Sequence, residues 1–219
     1  ESEQVLELAY LNSLYHTGIR NHLDSAILKY QDLPGRSGHF QQLARQHPKL
    51  DELPFDYDRR LASILVKQET ENLLLVKGSI DEVCRRCAYV SYKGSQYPMD
   101  AEKDASIHAI VDEMLEDGMK VLAVAYKRLD AEQLSPEDEQ DLVLLGYLAF
   151  FDAPKQTAAA AIGKLQQLHV GVRVLTGDQK DTALSICRRL GLDTAQTLTG
   201  RELEQLSDNE RPVRIEHTT

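Results

Sequence analysis

The chain has 219 residues, 42% of them apolar and 6% aromatic with no Trp, enough for a core of ordinary size built on Leu, Ile, Val and Ala. Thirty-five acidic against twenty-five basic residues leave a formal charge of −10, which disfavours nucleic acid or an anionic membrane as a partner, so any phosphate-bearing partner should be small and locally held. No apolar run reaches the roughly 20 residues of a membrane helix and no signal-peptide pattern opens the chain, so the sequence reads as soluble and cytosolic.

The first fifty residues read as helical. Val5, Leu6, Leu8, Ala9, Leu11 and Leu14 suggest one helix and His22–Leu28 a second, with a looser stretch to Pro48 holding a short helix at Phe40–Gln46. A strand-rich zone follows: Leu61–Val66, Asn72–Lys77, then Ala88–Tyr92 and Gln96–Met99 around a Lys93-Gly94 turn, as expected of an antiparallel sheet. A helix at Ala101–Asp117, closed by Gly118, leads to strands at Val121–Tyr126 and Leu142–Phe151. Between them, Glu137-Asp138-Glu139 reads as a solvated loop.

The third zone alternates. After the strand ending at Phe151 come a helix (Lys155–Leu168), a strand (Val170–Leu175), a helix (Lys180–Leu190, stopped by Gly191), a short strand near Thr197 and a helix at Glu202–Leu206. The fold class is therefore α/β: an antiparallel sheet flanked by helices over residues 1–148, then a partial Rossmann-like βαβαβ segment over 149–219. So short a parallel sheet looks cut from something larger, because both of its faces need cover.

Several residues carry candidate chemistry. Two successive strand ends deliver Asp152 and Asp178 to one sheet edge, the ligand-binding edge of an open α/β sheet. Gly177 can bring backbone N–H groups to a phosphate. Phe55 near Arg59 and Arg60, with Lys77 and Gly78 at another strand's end, offers a stacking face for a base and cations for phosphates; spacing alone favours Phe55 as a core residue, Arg59 and Arg60 as surface charges and Lys77-Gly78 as a turn. Cys84 and Cys87 have redox or half-zinc spacing. No second ligand pair lies nearby, so they and the odd third cysteine read as helix thiols in a reducing compartment, and no metal site is assigned.

Four motifs in order, Pro54-Phe55 with Arg59-Arg60, Val76-Lys77-Gly78-Ser79, Phe151-Asp152-Ala153-Pro154-Lys155 and Leu175-Thr176-Gly177-Asp178, resemble the cytoplasmic headpiece of a P-type ATPase. Asn12–Gly18, Asn21–Leu28 and Gly146–Phe150 look most like the bacterial magnesium-transporting subgroup. The resemblance implies a nucleotide-binding domain (1–148) and part of the phosphorylation domain (149–219).

It also implies roles. Phe55 would stack on adenine, Lys77 and Gly78 would line the adenosine pocket, Arg60 would neutralise the phosphate chain, and Asp24 would accept from the adenine amino group. Lys120 stands where the family has an Arg near ribose or phosphate. Asp152 and Lys155 match the hinge, although Ala153 departs from its usual Pro, and Thr176-Gly177-Asp178 match the loop around the transferred phosphoryl group.

ATP or ADP would be the ligand, with Mg²⁺ as cofactor of the complete protein. The partners would be the remaining phosphorylation, actuator and transmembrane domains, at the cytoplasmic side of the bacterial inner membrane. The family's nucleophile lies in Asp-Lys-Thr-Gly-Thr and its metal motif is Gly-Asp-Gly-Val-Asn-Asp; neither occurs in this sequence. The expectation is a fragment with no catalytic residue, starting after the nucleophile and stopping before the metal site, that binds ATP without turning it over. Exposed sheet edges suggest self-association.

Rival readings are a non-catalytic protein-interaction module, a pump for another cation, and a phosphatase built on Asp56-Tyr57-Asp58, which lacks the apolar strand that would present its Asp-x-Asp. Neither the Rossmann nor the P-loop glycine fingerprint occurs.

Overall fold

The computed structural model of the chain describes residues 2–18, 21–151, 156–177, 180–216 and 218. Contacts divide it into two compact units, residues 1–110 with 121–150, and residues 111–120 with 151–219.

The first unit opens with helices α1 (Ser2–Tyr15), α2 (His22–Lys29) and α3 (Ser37–Gln46). Asn21 starts α2 in the expected way for an N-cap, its side chain accepting from the Asp24 N–H at 2.8 Å. Strands β1 (Lys49–Asp56), β2 (Leu61–Val66) and β3 (Asn72–Gly78) follow, then α4 (Ile80–Arg86), β4 (Cys87–Tyr92), β5 (Ser95–Pro98), α5 (Ala101–Glu116), β6 (Met119–Leu129) and β7 (Leu142–Phe151). The seven strands form one sheet in the order β1-β2-β3-β6-β7-β4-β5.

β2 and β3 are buried along nearly their whole length, the mark of strands covered on both faces, and this is why they read in sequence as continuous apolar runs. Their face carrying Ile64, Val66, Leu73 and Leu75 packs with Leu8, Leu11, Ile27 and Phe40 of the helical layer, together with Val124 and Leu145. Pairing is antiparallel from β1 through β3 to β6, and between β4 and β5; β4 and β7 pair parallel, Cys87 opposite Leu142. The β4–β5 hairpin turns through Lys93 (φ 49°) and Gly94 (φ 77°), both left-handed as a tight primed turn requires.

The sheet's edges are guarded. β1 carries Pro54 and two breaks in its register with β2, and β5 is four exposed residues ending in Pro98. β1 is an addition to the elements expected from sequence, whereas α4 lies where Cys84 reads as helical.

The second unit holds α6 (Gln156–Gln167), α7 (Lys180–Arg189), α8 (Gly200–Glu204) and α9 (Glu210–Glu216). α8 begins with a capping box between Thr199 and Glu202. The strands expected at Val170–Leu175 and near Thr197 carry no ladder: among the described residues 170–177 and 192–199 form neither helix nor strand. A strand persists only through its neighbours' hydrogen bonds, and with Leu175 98% exposed the apolar run finds no core here either.

A Cβ built on Gly78 would lie 2.5 Å from the Arg60 carbonyl oxygen and 2.6 Å from Leu61 Cβ. Gly78→Ala is therefore expected to cost about 1–3 kcal/mol by forcing backbone apart, whereas Gly94→Ala, in open space but left-handed, should cost about 1–2 kcal/mol. Urea unfolding of the two variants against wild type measures both.

Candidate functional site

The register of three strands gathers the first group of residues. Asp56 of β1 stands opposite Leu61 of β2, which stands opposite Gly78 of β3, so Phe55, Arg60 and Lys77 all lie at one end of the sheet. Phe55 is 44% exposed and packs edge-on against Tyr57, ring centroids 5.3 Å apart, with Tyr57 itself almost fully exposed. The core reading of Phe55 is thereby set aside.

The turn joining β1 to β2 is built by Asp56. Its Oδ1 accepts from the Asp58 N–H at 2.8 Å and the Arg59 N–H at 2.9 Å, and these bonds hold its carboxyl below the usual range. Asp56 thus serves the turn, which gives the Asp-x-Asp phosphatase reading no support. Arg60 closes the turn with φ 53°, its N–H donating to the Asp56 carbonyl at 2.7 Å and its carbonyl accepting from the Ser79 N–H at 3.1 Å. The Arg60 side chain is exposed. Gly78 is needed here because the Arg60 carbonyl occupies the space of a Cβ, a role the sequence does not disclose.

Lys77 points the other way, into the helical layer. Its Nζ donates to Ser13 Oγ at 2.5 Å and to the Asp24 carboxylate, and Ser13 Oγ donates to Asp24 Oδ1 at 3.0 Å. Asn12, one residue earlier on α1, donates to the Ala62 carbonyl at 3.0 Å and the Leu75 carbonyl at 2.9 Å, fixing the helix over β2 and β3. Burial alone would push the Asp24 carboxyl up; the Lys77 charge and the hydrogen bonds from Lys77, Ser13 and the Asn21 backbone outweigh it, and Asp24 is held below the ordinary range. Burial pulls the Lys77 ammonium down, with Asp24 opposing. Lys77 and Asp24 are therefore a buried ion pair.

Two further groups depart from the sequence reading. Glu139 is not solvated: it is 1% exposed, accepting from Arg59 Nη1 at 2.5 Å and Ser63 Oγ at 2.6 Å. The Ser135 hydroxyl and backbone N–H both bind Asp138, making a one-turn 3-10 helix at Pro136–Glu139 that turns Glu139 inward. The Ser-Pro-Glu-Asp order was the available signal. His39 meets Glu7 at 2.6 Å with Glu3 close by, the one triad of metal-ligand side chains among the described residues; it is exposed, and Arg36 already pairs with Glu3.

The Cys84 thiol is pushed up to about 12 by burial and by Asp104 and Asp81, and burial raises Cys87 too; both are free and buried, Cys84 on α4 as the helix reading had it and Cys87 instead at the first position of β4.

Three of the remaining predicted residues are described, and Lys120 stands on β6 three residues before Ala123, the partner of Gly78. Lys120, half-buried at the start of β6, and Thr176 and Gly177 belong to the second unit. Thr176 lines a cleft of about 440 Å³ there with Lys180, Leu184, Cys187 and Ile215. Asp152, Lys155 and Asp178, with Ala153 and Pro154, lie outside the described residues.

A family model for the P-type ATPase cytoplasmic domain N matches residues 8–157. The chain belongs to the P-type ATPases. This P-type ATPase chain is 38% identical over its whole length to a magnesium-transporting ATPase, P-type 1, of Escherichia coli K12, and 36% identical to one of Salmonella typhimurium LT2. It is 35% identical over 81% of its length to a calcium-transporting ATPase of Listeria monocytogenes. It spans 24% of the length of the two magnesium-transporting relatives and 21% of the calcium-transporting one. No helix among the described residues is long and apolar enough to cross a membrane.

Removing either charge of the pair strands the other. Asp24→Ala or Lys77→Ala in this P-type ATPase domain should each cost about 3–5 kcal/mol, while Asp24→Leu with Lys77→Met should cost much less than the sum. Because Asp24's folded pKa is depressed, its stabilisation is present above the ordinary carboxylate pKa and is lost as pH falls through the lowered folded value. Urea titrations at neutral and acid pH should therefore find the Asp24→Leu/Lys77→Met protein losing less stability on acidification than wild type.

Proposed function

We propose that this chain is the ATP-binding part of a magnesium-transporting P-type ATPase, in which ATP hydrolysis through an aspartyl phosphate drives Mg²⁺ across the bacterial inner membrane from its cytoplasmic side. The observation that carries the reading is the convergence of an exposed Phe55 with Arg60 and Lys77 at one end of β1, β2 and β3.

Phe55 stacks on the adenine ring, and Arg60, free of the sheet's interior, meets the phosphate chain with its fork of donors. Lys77 with Asp24 forms the wall of the adenosine pocket; the ionised Asp24 is the acceptor for the adenine amino group and Lys77 holds it in place. Gly78 serves by letting Arg60's backbone close against β3. Lys120 is assigned to ribose or phosphate, Asp152 and Lys155 to the hinge, and Thr176, Gly177 and Asp178 to the phosphoryl loop.

Residues 1–148 are assigned as the nucleotide-binding domain and 149–219 as part of the phosphorylation domain, a boundary supported by the change of contact unit between Phe150 and Phe151, although residues 111–120 group with the second unit. A stacking face, a cation and a buried acceptor suit an adenine nucleotide. None of these residues is assigned to Mg²⁺, which supplies charge neutralisation at the transferred phosphoryl group in the complete pump. These 219 residues hold no Asp-Lys-Thr-Gly-Thr, so the chain alone binds nucleotide without turnover. The calcium-transporting relative favours a second reading, the same machinery moving another cation.

Stacking and a few polar contacts, less the ordering cost, leave about 4–5 kcal/mol, or millimolar to sub-millimolar affinity. An NMR titration with ATP, ADP and GTP, with and without Mg²⁺, is expected to give saturable shifts that favour adenine, ignore Mg²⁺ and vanish in Phe55→Ala. A chain unresponsive to millimolar ATP would leave the interaction-module reading in its place.

Self-association is assigned to exposed apolar side chains of the second unit, Leu168, Leu175 and Val213, rather than to the guarded sheet edges. Light scattering should find a mass that rises with concentration and falls back in Leu175→Ser; a monomer throughout removes the assignment.

A further inference from the structure

We propose that Glu139 is a positioning residue for the nucleotide face, a buried carboxylate that acts through Arg59 to set the attitude of Phe55. The inference rests on the nucleotide reading above and adds to it a residue far from the motifs that suggested it.

The β1–β2 register breaks between Leu53 and Asp56, so the ladder that fixes the rest of β1 does not extend through Pro54 and Phe55. Pro54 has no N–H to offer a neighbouring strand, and its carbonyl is taken by Arg59 Nη2 at 2.7 Å. The other arm of the same guanidinium, Nη1, goes to Glu139 at 2.5 Å. A planar fork joined at both arms transmits orientation as well as charge, so the carboxylate fixes the guanidinium and the guanidinium fixes the carbonyl just before Phe55.

Glu139 is itself immobilised. It is almost wholly buried, its Oε1 also accepts from Ser63 Oγ at 2.6 Å in the middle of β2, and the Ser135–Asp138 capping box rigidifies the turn that carries it. A carboxylate this deep is tolerated only when its charge and lone pairs are matched, which makes the Arg59 contact obligatory rather than incidental.

The turn's other bonds do different work. Asp56 shapes its interior, and the Arg60 carbonyl anchors its exit to Ser79. The entry, where Phe55 stands half out of the surface, is held by Arg59 and Glu139. Two adjacent arginines thus have separate tasks, Arg59 turned inward to position the ring and Arg60 exposed. An aromatic platform held in its binding orientation before the ligand arrives avoids an ordering cost on binding.

The test is ATP titration, followed by NMR, of wild type, Glu139→Gln, Glu139→Ala and the double variant Arg59→Met/Glu139→Gln, with amide exchange at Asp58 and Arg59 recorded without nucleotide. Gly94→Ala, on the hairpin at the far edge of the sheet, is the control for lost stability alone. Glu139→Ala should weaken ATP binding by about tenfold and speed exchange in the turn, Glu139→Gln, which keeps an acceptor for Arg59, should lose less, and Gly94→Ala should bind as wild type.

Should Glu139→Ala not fold, the double variant, which leaves no unpaired charge, carries the same expectation. Wild type that binds ATP while the folded variants bind within about twofold of it overturns the positioning role alone. Wild type that does not bind ATP overturns the nucleotide reading and the positioning role with it, and the exchange rates then report only on the turn.

Discussion

A lysine whose ammonium is buried must have its charge matched where it lies, and in this molecule that requirement joins the helical layer to the sheet. Lys77 leaves β3 toward α1 and meets Ser13 and Asp24, the latter delivered by a helix whose start is fixed by Asn21. Asn12 adds two bonds to the carbonyls of β2 and β3. The apolar contacts around Leu11, Ile27 and Phe40 provide most of the favourable burial, but they are indifferent to small sliding motions. The polar seam is not, because a shifted helix would leave buried donors and acceptors unmatched.

How far the sequence disclosed this depends on how local the cause is. β2 and β3 were legible because strands covered on both faces are apolar throughout, and the strand read at Leu142–Phe151 is the observed one. β1 was missed because an edge strand rich in Asp and Glu, with a Pro inside it, has neither alternation nor an apolar run to reveal it. The segment 170–175 erred the other way: its composition is that of a strand, but strand structure is a property of a pair.

At the site, Phe55, Arg60 and Lys77 were found by motif, and their common end of the sheet follows from a register no single segment encodes. Lys77's partner Asp24 is far off in sequence, and Glu139 is farther still from Arg59. Proximity of that kind is created by topology, so a short acidic run at Glu137–Glu139 reads as solvent-facing until the strand beside it is placed. The two arginines at 59 and 60 make the same point: identical side chains in adjacent positions, one spent within the fold and one left on its surface.

The parallel pairing of β4 with β7 carries a consequence for the order of assembly. β1, β2 and β3 are joined by short connections and can zip as successive hairpins while the chain is still short. β4 and β5 make an equally local hairpin, yet its place in the sheet is beside β7, so Cys87 must wait for Leu142. Closing so long a loop is the entropically slow step, and it comes late. On a ribosome the hairpin at Lys93-Gly94 would form early and remain undocked until the last strand of the sheet had left the exit tunnel.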